Sequence, residues 1–182
     1  MIILGIDPGF ANFGWAVVQF EKAQPPRLLA SGVIRTDARA GRLTVSESNA
    51  QRCGQIADAL VDIMDNWRPW IIGTEAQSWT RRHKADVQVA QAFGIIFALA
   101  GVDGCPVVHL PPQVVKQKIC GVKSATKQQI QDALADRLID YGPTIGQIPK
   151  TTRHHAADAA AVALAAQTSD LALALVRRGA GD

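Results

Sequence analysis

Two short apolar runs separated by a glycine-rich segment open this chain. The first run, residues 2–6 (IILGI), leads directly into Asp7, and Pro8 and Gly9 follow. A second run, residues 15–18 (WAVV), begins just after Gly14. Apolar runs bounded by glycine and proline are typical of strands joined by a tight connection. The sequence therefore predicts a β-hairpin as the first element of the fold.

Asp7 lies in, or at the end of, the first predicted strand. A carboxylate inside an apolar segment is costly to bury unless a cation, a hydrogen-bond network or a metal ion pairs with it. The alternative is that Asp7 closes a turn beside Pro8 and Gly9, as aspartate often does. The hairpin by itself is compatible with both interpretations.

The rest of the chain alternates between strand-like runs and helical spacing. Further strands are predicted at residues 28–34, 70–75 and 106–110, and helices at residues 46–67, 87–100, 111–118, 124–141 and 154–176. We expect the second helix to be buried on most faces, Ser124 to cap the fourth, and residues 36–42 and 142–152 to form loops. This order predicts an α/β fold with a five-stranded mixed sheet flanked by helices.

Composition favours one globular domain. The chain has 182 residues, of which 48% are apolar, so residues 1–176 can share one core and residues 177–182 are predicted to be a flexible tail. Three distant cysteines fit neither a zinc site nor a disulfide framework. The first apolar run is too short for a signal peptide or a membrane span, so we expect a cytoplasmic protein without a membrane. The formal net charge of +3 is compatible with nucleic-acid binding.

Three acids and a histidine occupy positions that the fold can bring together. Asp7 and Glu75 end predicted strands, while His155 and Asp158 are three residues apart on a helix and can share one face. Such a set of donors suits Mg²⁺ or Mn²⁺, and a pair of these ions is suited to phosphodiester hydrolysis. The alternatives are a solvated strand end for Glu75, a helix-dipole acid for Asp158 and a surface histidine for His155. His154, four residues before Asp158, is also compatible with helical geometry.

Two basic clusters can contact phosphates. The first contains Lys116, Lys118, Lys123 and Lys127 within twelve residues. The second, directly after Glu75, contains Arg81, Arg82 and Lys84, with Trp79 available to stack on unpaired bases. The alternative for both clusters is a solvated basic surface.

These motifs together resemble the RuvC Holliday-junction resolvases, a family of the RNase H-like nuclease superfamily. The similarity extends from Gly5 to about Ala166. It is carried by residues 5–9 (GIDPG) with Gly14, by Glu75 after an apolar strand, by residues 90–94 (AQAFG), by residues 115–117 (VKQ) and 124–127 (SATK), and by residues 155–159 (HAADA).

The resemblance implies an RNase H-like fold and a homodimer that cuts two opposed strands of a four-way DNA junction. It implies two Mg²⁺ ions, with Mn²⁺ as a substitute, bound by the catalytic residues Asp7, Glu75, His155 and Asp158; many members have aspartate in place of His155. It places Lys116 and Lys127 nearest the scissile strand and implies products with a 5′-phosphate and a 3′-hydroxyl. The helix that carries Phe93, Ile96, Phe97 and Leu99 helps to form the dimer in the family, although core packing accounts for most of these side chains. A branch-migration helicase is a further expected partner.

Three rival functions stay open at this point. The first is a relaxed nuclease of a phage or mobile element that cuts forks and flaps as well as four-way junctions. The second is a junction-binding protein without turnover, against which the acidic set argues. The third is an actin-like kinase, which shares the Asp-x-Gly opening but normally needs a second lobe that this length does not provide.

Overall fold

The computed structural model describes residues 1–37, 43–76 and 83–179, with side chains for all of these except residues 83–85 and 179. Within these ranges one sheet contains five strands: Ile2–Asp7 (β1), Asn12–Gln19 (β2), Arg27–Arg35 (β3), Ile71–Glu75 (β4) and Val107–Leu110 (β5). Their order is β3-β2-β1-β4-β5, with β1, β2 and β3 antiparallel and with β4 and β5 parallel to β1. The predicted hairpin and the five-stranded mixed sheet are confirmed.

Helices cover both faces of this sheet. The described ranges hold Val45–Trp67 (α1), His83–Asp103 (α2), Pro112–Cys120 (α3), Lys127–Arg137 (α4), Tyr141–Gly146 (α5), Arg153–Ala166 (α6) and Asp170–Gly179 (α7). Successive strand residues point to opposite faces. Leu4 and Ile72 pack with α1 and α2, whereas Ile3 and Ile71 pack with the alanine-rich α6.

Helix α6 lies unusually close to the sheet because glycines face it. A Cβ atom on Gly5 would lie 2.0 Å from the backbone oxygen of Ala159, and one on Gly73 would lie 3.0 Å from the Ala166 side chain. The side chains on the buried side of α6 are correspondingly small, because most of them are alanine. Glycine on the strands and alanine on the helix therefore fix the distance between the two layers.

Helix α1 matches its prediction, and α2 departs from its own. A capping box between Thr44 and Glu47 begins α1, and Arg68 ends it in the left-handed region just before Pro69. We predicted that α2 would be buried on most faces, but this is wrong. Ile96 is fully buried, whereas Phe97 is 46% and Val102 83% exposed.

The same helix is long and apolar enough over Asp86–Asp103, with a mean hydropathy of 1.3, to cross a membrane. Part of this composition is explained by its core side, on which Ala92, Phe93, Ile96 and Ala100 are buried. The other apolar residues of this helix lie on its exposed surface.

The segment after α3 departs from the predicted long helix over residues 124–141. Thr126, not Ser124, is the N-cap of α4: its hydroxyl accepts from the backbone N–H of Gln129, and the Gln129 side chain accepts in return from the backbone N–H of Thr126. The helix ends at Arg137 because Ile139 forms backbone hydrogen bonds with Pro26 and Leu28 at the start of β3. Helix α5 then occupies part of the predicted loop over residues 142–152.

The predicted C-terminal helix over residues 154–176 is divided into two. Helices α6 and α7 meet at an angle of 60°. Ser169 begins α7 by accepting from the backbone N–H of Ala172, while Lys118 of α3 donates to Thr168 at the break. Helix α7 continues through Gly179. The flexible tail over residues 177–182 stays a prediction.

Candidate active site

Asp7 and Glu75 lie side by side at the carboxyl ends of two neighbouring strands. Ile6 pairs with Thr74 in the parallel register of β1 and β4, so the next residue on each strand is an acid. Both acids point to the same face of the sheet as Gly5 and Gly73, which is the face covered by α6. The register and the pleat therefore direct the two carboxylates toward the beginning of α6.

His155 is placed above Asp7 by Gly14. Gly14 pairs with Asp7 across the hairpin, and a Cβ atom there would lie 2.3 Å from the backbone oxygen of His155. The absence of a side chain allows the first turn of α6 to approach, and His155 Nδ1 lies 2.6 Å from Asp7 Oδ2. The backbone oxygen of Asp7 also accepts from Gly9 N at 2.8 Å. Asp7 thus closes the turn with its main chain and binds a partner with its side chain.

His154 stands next to this pair, since its ring centroid is 4.1 Å from that of His155. Burial lowers the pKa of His154, and the neighbouring charges of His155 and Lys127 lower it further, against the opposing effect of Asp158 and Asp7. The hydrogen bond to Asp7 belongs to His155.

The third acid lies one turn further along α6. Asp158 Oδ2 is 3.6 Å from Lys127 Nζ at the start of α4. Burial raises the pKa of Asp158, and the Lys127 ammonium opposes that rise. The lysine thus lies against an acid of the site while its own side chain stays 69% exposed.

Glu75 has a strongly raised pKa. Burial, followed by the charges of Asp7 and Asp158, raises the pKa of Glu75 to about 7, and the charges of Lys116 and Lys127 act against the rise. The charges of Asp7 and Asp158 therefore add to the effect of burial in disfavouring a negative charge on Glu75. Carboxylates that repel one another in this way are suited to a divalent cation, which would remove the repulsion.

The arrangement fits such a cation in its chemistry. Among residues 1–37, 43–76 and 83–179, no three histidine, cysteine, aspartate or glutamate side chains already form a close cluster. The close contacts present are pairwise, between Asp7 and His155 and between Asp158 and Lys127. The donors are three carboxylates and one imidazole with no thiolate, a set that suits hard cations.

A groove of about 240 Å³ opens beside the acids. Its walls come from the end of β1, the end of β4, helix α2 and the start of α3: Asp7, Pro8, Gly9, Glu75, Ala76, Val89, Phe93 and Pro112. A strand of a polar polymer could therefore reach both Asp7 and Glu75 from solvent.

The predicted basic residues fall into separate places. Lys116 and Lys127 act on the acids, as their effects on Glu75 and Asp158 show, and Lys123 is exposed after α3. Lys118 donates to Thr168 beyond the far end of α6, roughly 15–20 Å from the site at 1.5 Å per helical residue. Trp79, Arg81 and Arg82 lie outside the described residues, as does the side chain of Lys84.

Tyr141 is a neighbour of the site that the sequence analysis missed. Burial raises the pKa of this phenol to about 12, and the charge of Asp158 adds to the effect. No local pattern could have identified Tyr141, because its place follows from how α5 packs beneath α6.

Comparison with protein families gives one assignment over nearly the whole chain. A family model described as crossover junction endodeoxyribonuclease RuvC matches residues 3–166. The protein of that name from Thermomicrobium roseum is 34% identical over 164 residues, which cover 90% of this chain and 91% of the relative. Its counterpart from Natranaerobius thermophilus is 30% identical, with 90% and 92% covered.

Solved structures agree with this assignment. Thermus thermophilus RuvC in complex with a Holliday junction substrate superposes with a TM-score of 0.76 at 27% identity, covering 98% of this chain and 96% of that one. The yeast mitochondrial Holliday junction resolvase gives a TM-score of 0.69 at 16% identity, with 98% and 82% covered, and so supports the fold alone.

Proposed function

The chain belongs to the RuvC family of crossover junction endodeoxyribonucleases, and we propose that it resolves four-way DNA junctions by hydrolysing phosphodiesters in two opposed strands. The observation that carries this proposal is the placement of Asp7 and Glu75 on adjacent strand ends, beneath His155 and Asp158 at the start of α6. The groove beside the two strand-end acids leaves them accessible to a DNA strand. Recombination and DNA repair are the processes that such an activity serves.

The enzyme is a divalent-metal-dependent nuclease, and we infer that Mg²⁺ serves it, with two ions per site and Mn²⁺ as a substitute. Asp7, Glu75, His155 and Asp158 would hold the ions. When bound, these ions activate the attacking water and stabilise the leaving oxygen. Asp7 and Glu75 would supply carboxylate oxygens from the rigid sheet. His155 and Asp158 would close the site from the helix.

Lys116 and Lys127 complete the proposed site as cations near the scissile phosphate. Their charges already lower the pKa of Glu75 against the effect of burial. A lysine placed there can contact phosphate oxygens and stabilise the negative charge that develops during hydrolysis. The exposed Lys123 would extend the same basic surface along the DNA.

A homodimer follows from the need for two cuts, and we place its interface on the exposed apolar side of α2. Phe97 on this side packs edge-on against His109 of β5, with ring centroids 5.2 Å apart, and stacks at 5.7 Å on Phe93. Val87 and Val102 are further exposed apolar residues of this helix, at other angles around its axis. Exposed apolar residues spread over the solvent-facing surface of one helix are typical of a protein–protein contact.

The decisive experiment compares cleavage of four-way, fork, flap and duplex DNA in Mg²⁺ by the wild type and by Asp7→Asn. We expect paired symmetric nicks on the four-way junction, a loss of about 10³-fold or more in Asp7→Asn, and junction binding that survives in Ca²⁺. His155→Ala should also lose most activity, whereas the adjacent His154→Ala serves as its matched control.

Three results would contradict the proposal or part of it. Equal cutting of forks, flaps and junctions would favour a relaxed branched-DNA nuclease. Binding without cutting under any divalent metal would favour a non-catalytic junction-binding protein. A greater loss in His154→Ala than in His155→Ala would exchange the roles of the two histidines. Because the assay uses the purified chain alone, it also tests whether a helicase is required.

A further inference from the structure

The turn that follows Asp7 is held by a buried arginine from another element. This turn comprises residues 8–11 and connects β1 to β2. Gly9 N donates to Asp7 O at 2.8 Å, and a Cβ atom on Gly9 would lie 2.3 Å from the backbone oxygen of Asn12. The main chain is therefore folded tightly just after the residue that carries the first carboxylate.

Thr36, which follows β3, binds the far side of the turn at two points. Its backbone N–H donates to Ala11 O at 3.1 Å, and its hydroxyl donates to Phe10 O at 2.6 Å. Thr36 is 2% exposed, so neither bond competes with water. Two successive carbonyl groups of the turn are thereby fixed to one residue.

Arg52 of α1 supports both partners of this contact. Its Nε donates to the Thr36 hydroxyl at 2.8 Å, and its guanidinium carbon lies 4.3 Å from the centroid of the Phe10 ring. Arg52 is only 6% exposed. Among the described residues no carboxylate lies within ion-pair distance of Arg52. A buried cation without an acid is costly, and among the described residues Arg52 has a hydrogen bond to Thr36 and a ring contact with Phe10.

We propose that Arg52 is a positioning residue for Asp7, acting through Thr36 and Phe10 to fix the turn that sets the direction of the Asp7 carboxylate. The inference rests on the proposed function, because it gives Asp7 the role of a metal ligand. The physical basis is that outer partners which orient a ligating carboxylate affect metal affinity as well as activity. The chain from Arg52 to Asp7 is continuous, since each link is a hydrogen bond, a ring contact or the peptide backbone.

The test uses Thr36→Val, which removes the hydroxyl at nearly constant shape, and Thr36→Ser, which keeps the hydroxyl. Arg52→Met keeps an apolar stem without the guanidinium. Ile56→Val, one turn further along α1 and fully buried in the same core, is the control for a general loss of stability. Two readouts do not depend on cleavage: calorimetric titration of the DNA-free protein with Mn²⁺, and hydrogen exchange of the peptide that contains residues 8–13 in the metal-free protein.

We expect Thr36→Val and Arg52→Met to weaken Mn²⁺ binding by about 10-fold and to speed exchange in the turn. Thr36→Ser should stay within about 2-fold of the wild type, and Ile56→Val should lose thermal stability without losing Mn²⁺ affinity. Wild-type Mn²⁺ affinity and wild-type exchange in Thr36→Val would overturn the proposal, and this variant decides the question even if Arg52→Met does not fold. Failure of the wild type to cut junctions would instead contradict the proposed function, and the exchange measurement would still report on the turn.

Discussion

The raised pKa of Glu75 shows that the metal-free site disfavours a negative charge on this side chain. Its pKa of about 7 results first from burial and then from the charges of Asp7 and Asp158. The folded state therefore retains a proton on Glu75 at pH values at which the unfolded chain has released it. Between the ordinary value of 4.5 and about 7, the folded protein loses stability as the pH rises, and above this window the full penalty is present.

We predict that Glu75→Gln makes the metal-free protein more stable near pH 8 by about 1–2 kcal/mol, a figure reduced for solvent screening of this partly exposed group. The gain should shrink as the pH falls and vanish below the ordinary carboxyl range. Urea unfolding in EDTA at several pH values measures it. Glu47 is a control of opposite sign, because hydrogen bonds with Thr44 lower its pKa, so Glu47→Gln should bring no gain near pH 8. Parallel stability curves for the wild type and Glu75→Gln would contradict this explanation.

At the scale of elements, the position of α6 decides whether the site exists. The helix carries His155 and Asp158, and its distance from the sheet is set by Gly5, Gly14 and Gly73. An added methyl group at Gly5 would meet backbone, which cannot rotate away as a side chain can. Close packing of this kind transmits a small change in one strand to the whole helix.

We predict that Gly5→Ala destabilises the protein by about 1–3 kcal/mol or more, as overpacking does in other cores, and that it lowers cleavage by displacing His155 and Asp158. Gly54→Ala is the matched control: this glycine lies in α1, is exposed, and has no atom within 4 Å of an added Cβ. It should stabilise the protein by about 0.5–1 kcal/mol. Chemical unfolding measures the free energy of unfolding of both variants, which should change in opposite directions. An unchanged free energy in Gly5→Ala would show that α6 can move away from the sheet at little cost.

The success of sequence-based prediction differs between elements for physical reasons. Helix α1 was predicted closely because its amphipathic spacing and its stop at Pro69 are local signals. Helix α4 was predicted too long, since its end depends on Ile139 bonding to residues 26 and 28, more than a hundred positions away. At the division between α6 and α7, Lys118 from a different helix adds a distant contact to the local cap at Ser169. Ends that are fixed by distant partners leave no mark in the local pattern.

At the scale of the whole molecule, the apolar side of α2 is the largest departure from the predicted burial. Phe97 and Val102 are exposed at different angles around a helix whose buried side packs into the core. A homodimer that buries this surface would account for the apolar composition of both sides. It would also supply the second active site that paired nicks require.

We predict that Phe97→Glu yields a monomer at concentrations at which the wild type is a dimer, as measured by sedimentation velocity. A charge in an apolar interface is costly to bury, so the dissociation constant should rise by about 100-fold or more, which corresponds to roughly 3 kcal/mol. Val45→Glu, at an exposed apolar position of α1, should leave the oligomeric state unchanged. A dimer that persists in Phe97→Glu would place the interface elsewhere.

The sequence by itself determined the order of the five strands, the mixed character of the sheet, and the identity of the candidate acids. These properties follow from apolar period, glycine and proline positions, and residue chemistry, all of which are local. Tertiary structure alone decided that His155 Nδ1 contacts Asp7, that Lys118 binds Thr168 away from the acids, that Arg52 supports the turn after Asp7, and that much of α2 is exposed. Each of these depends on the register between strands or on the distance between layers. Such distances are set by glycine contacts between residues far apart in the chain, which no local pattern contains.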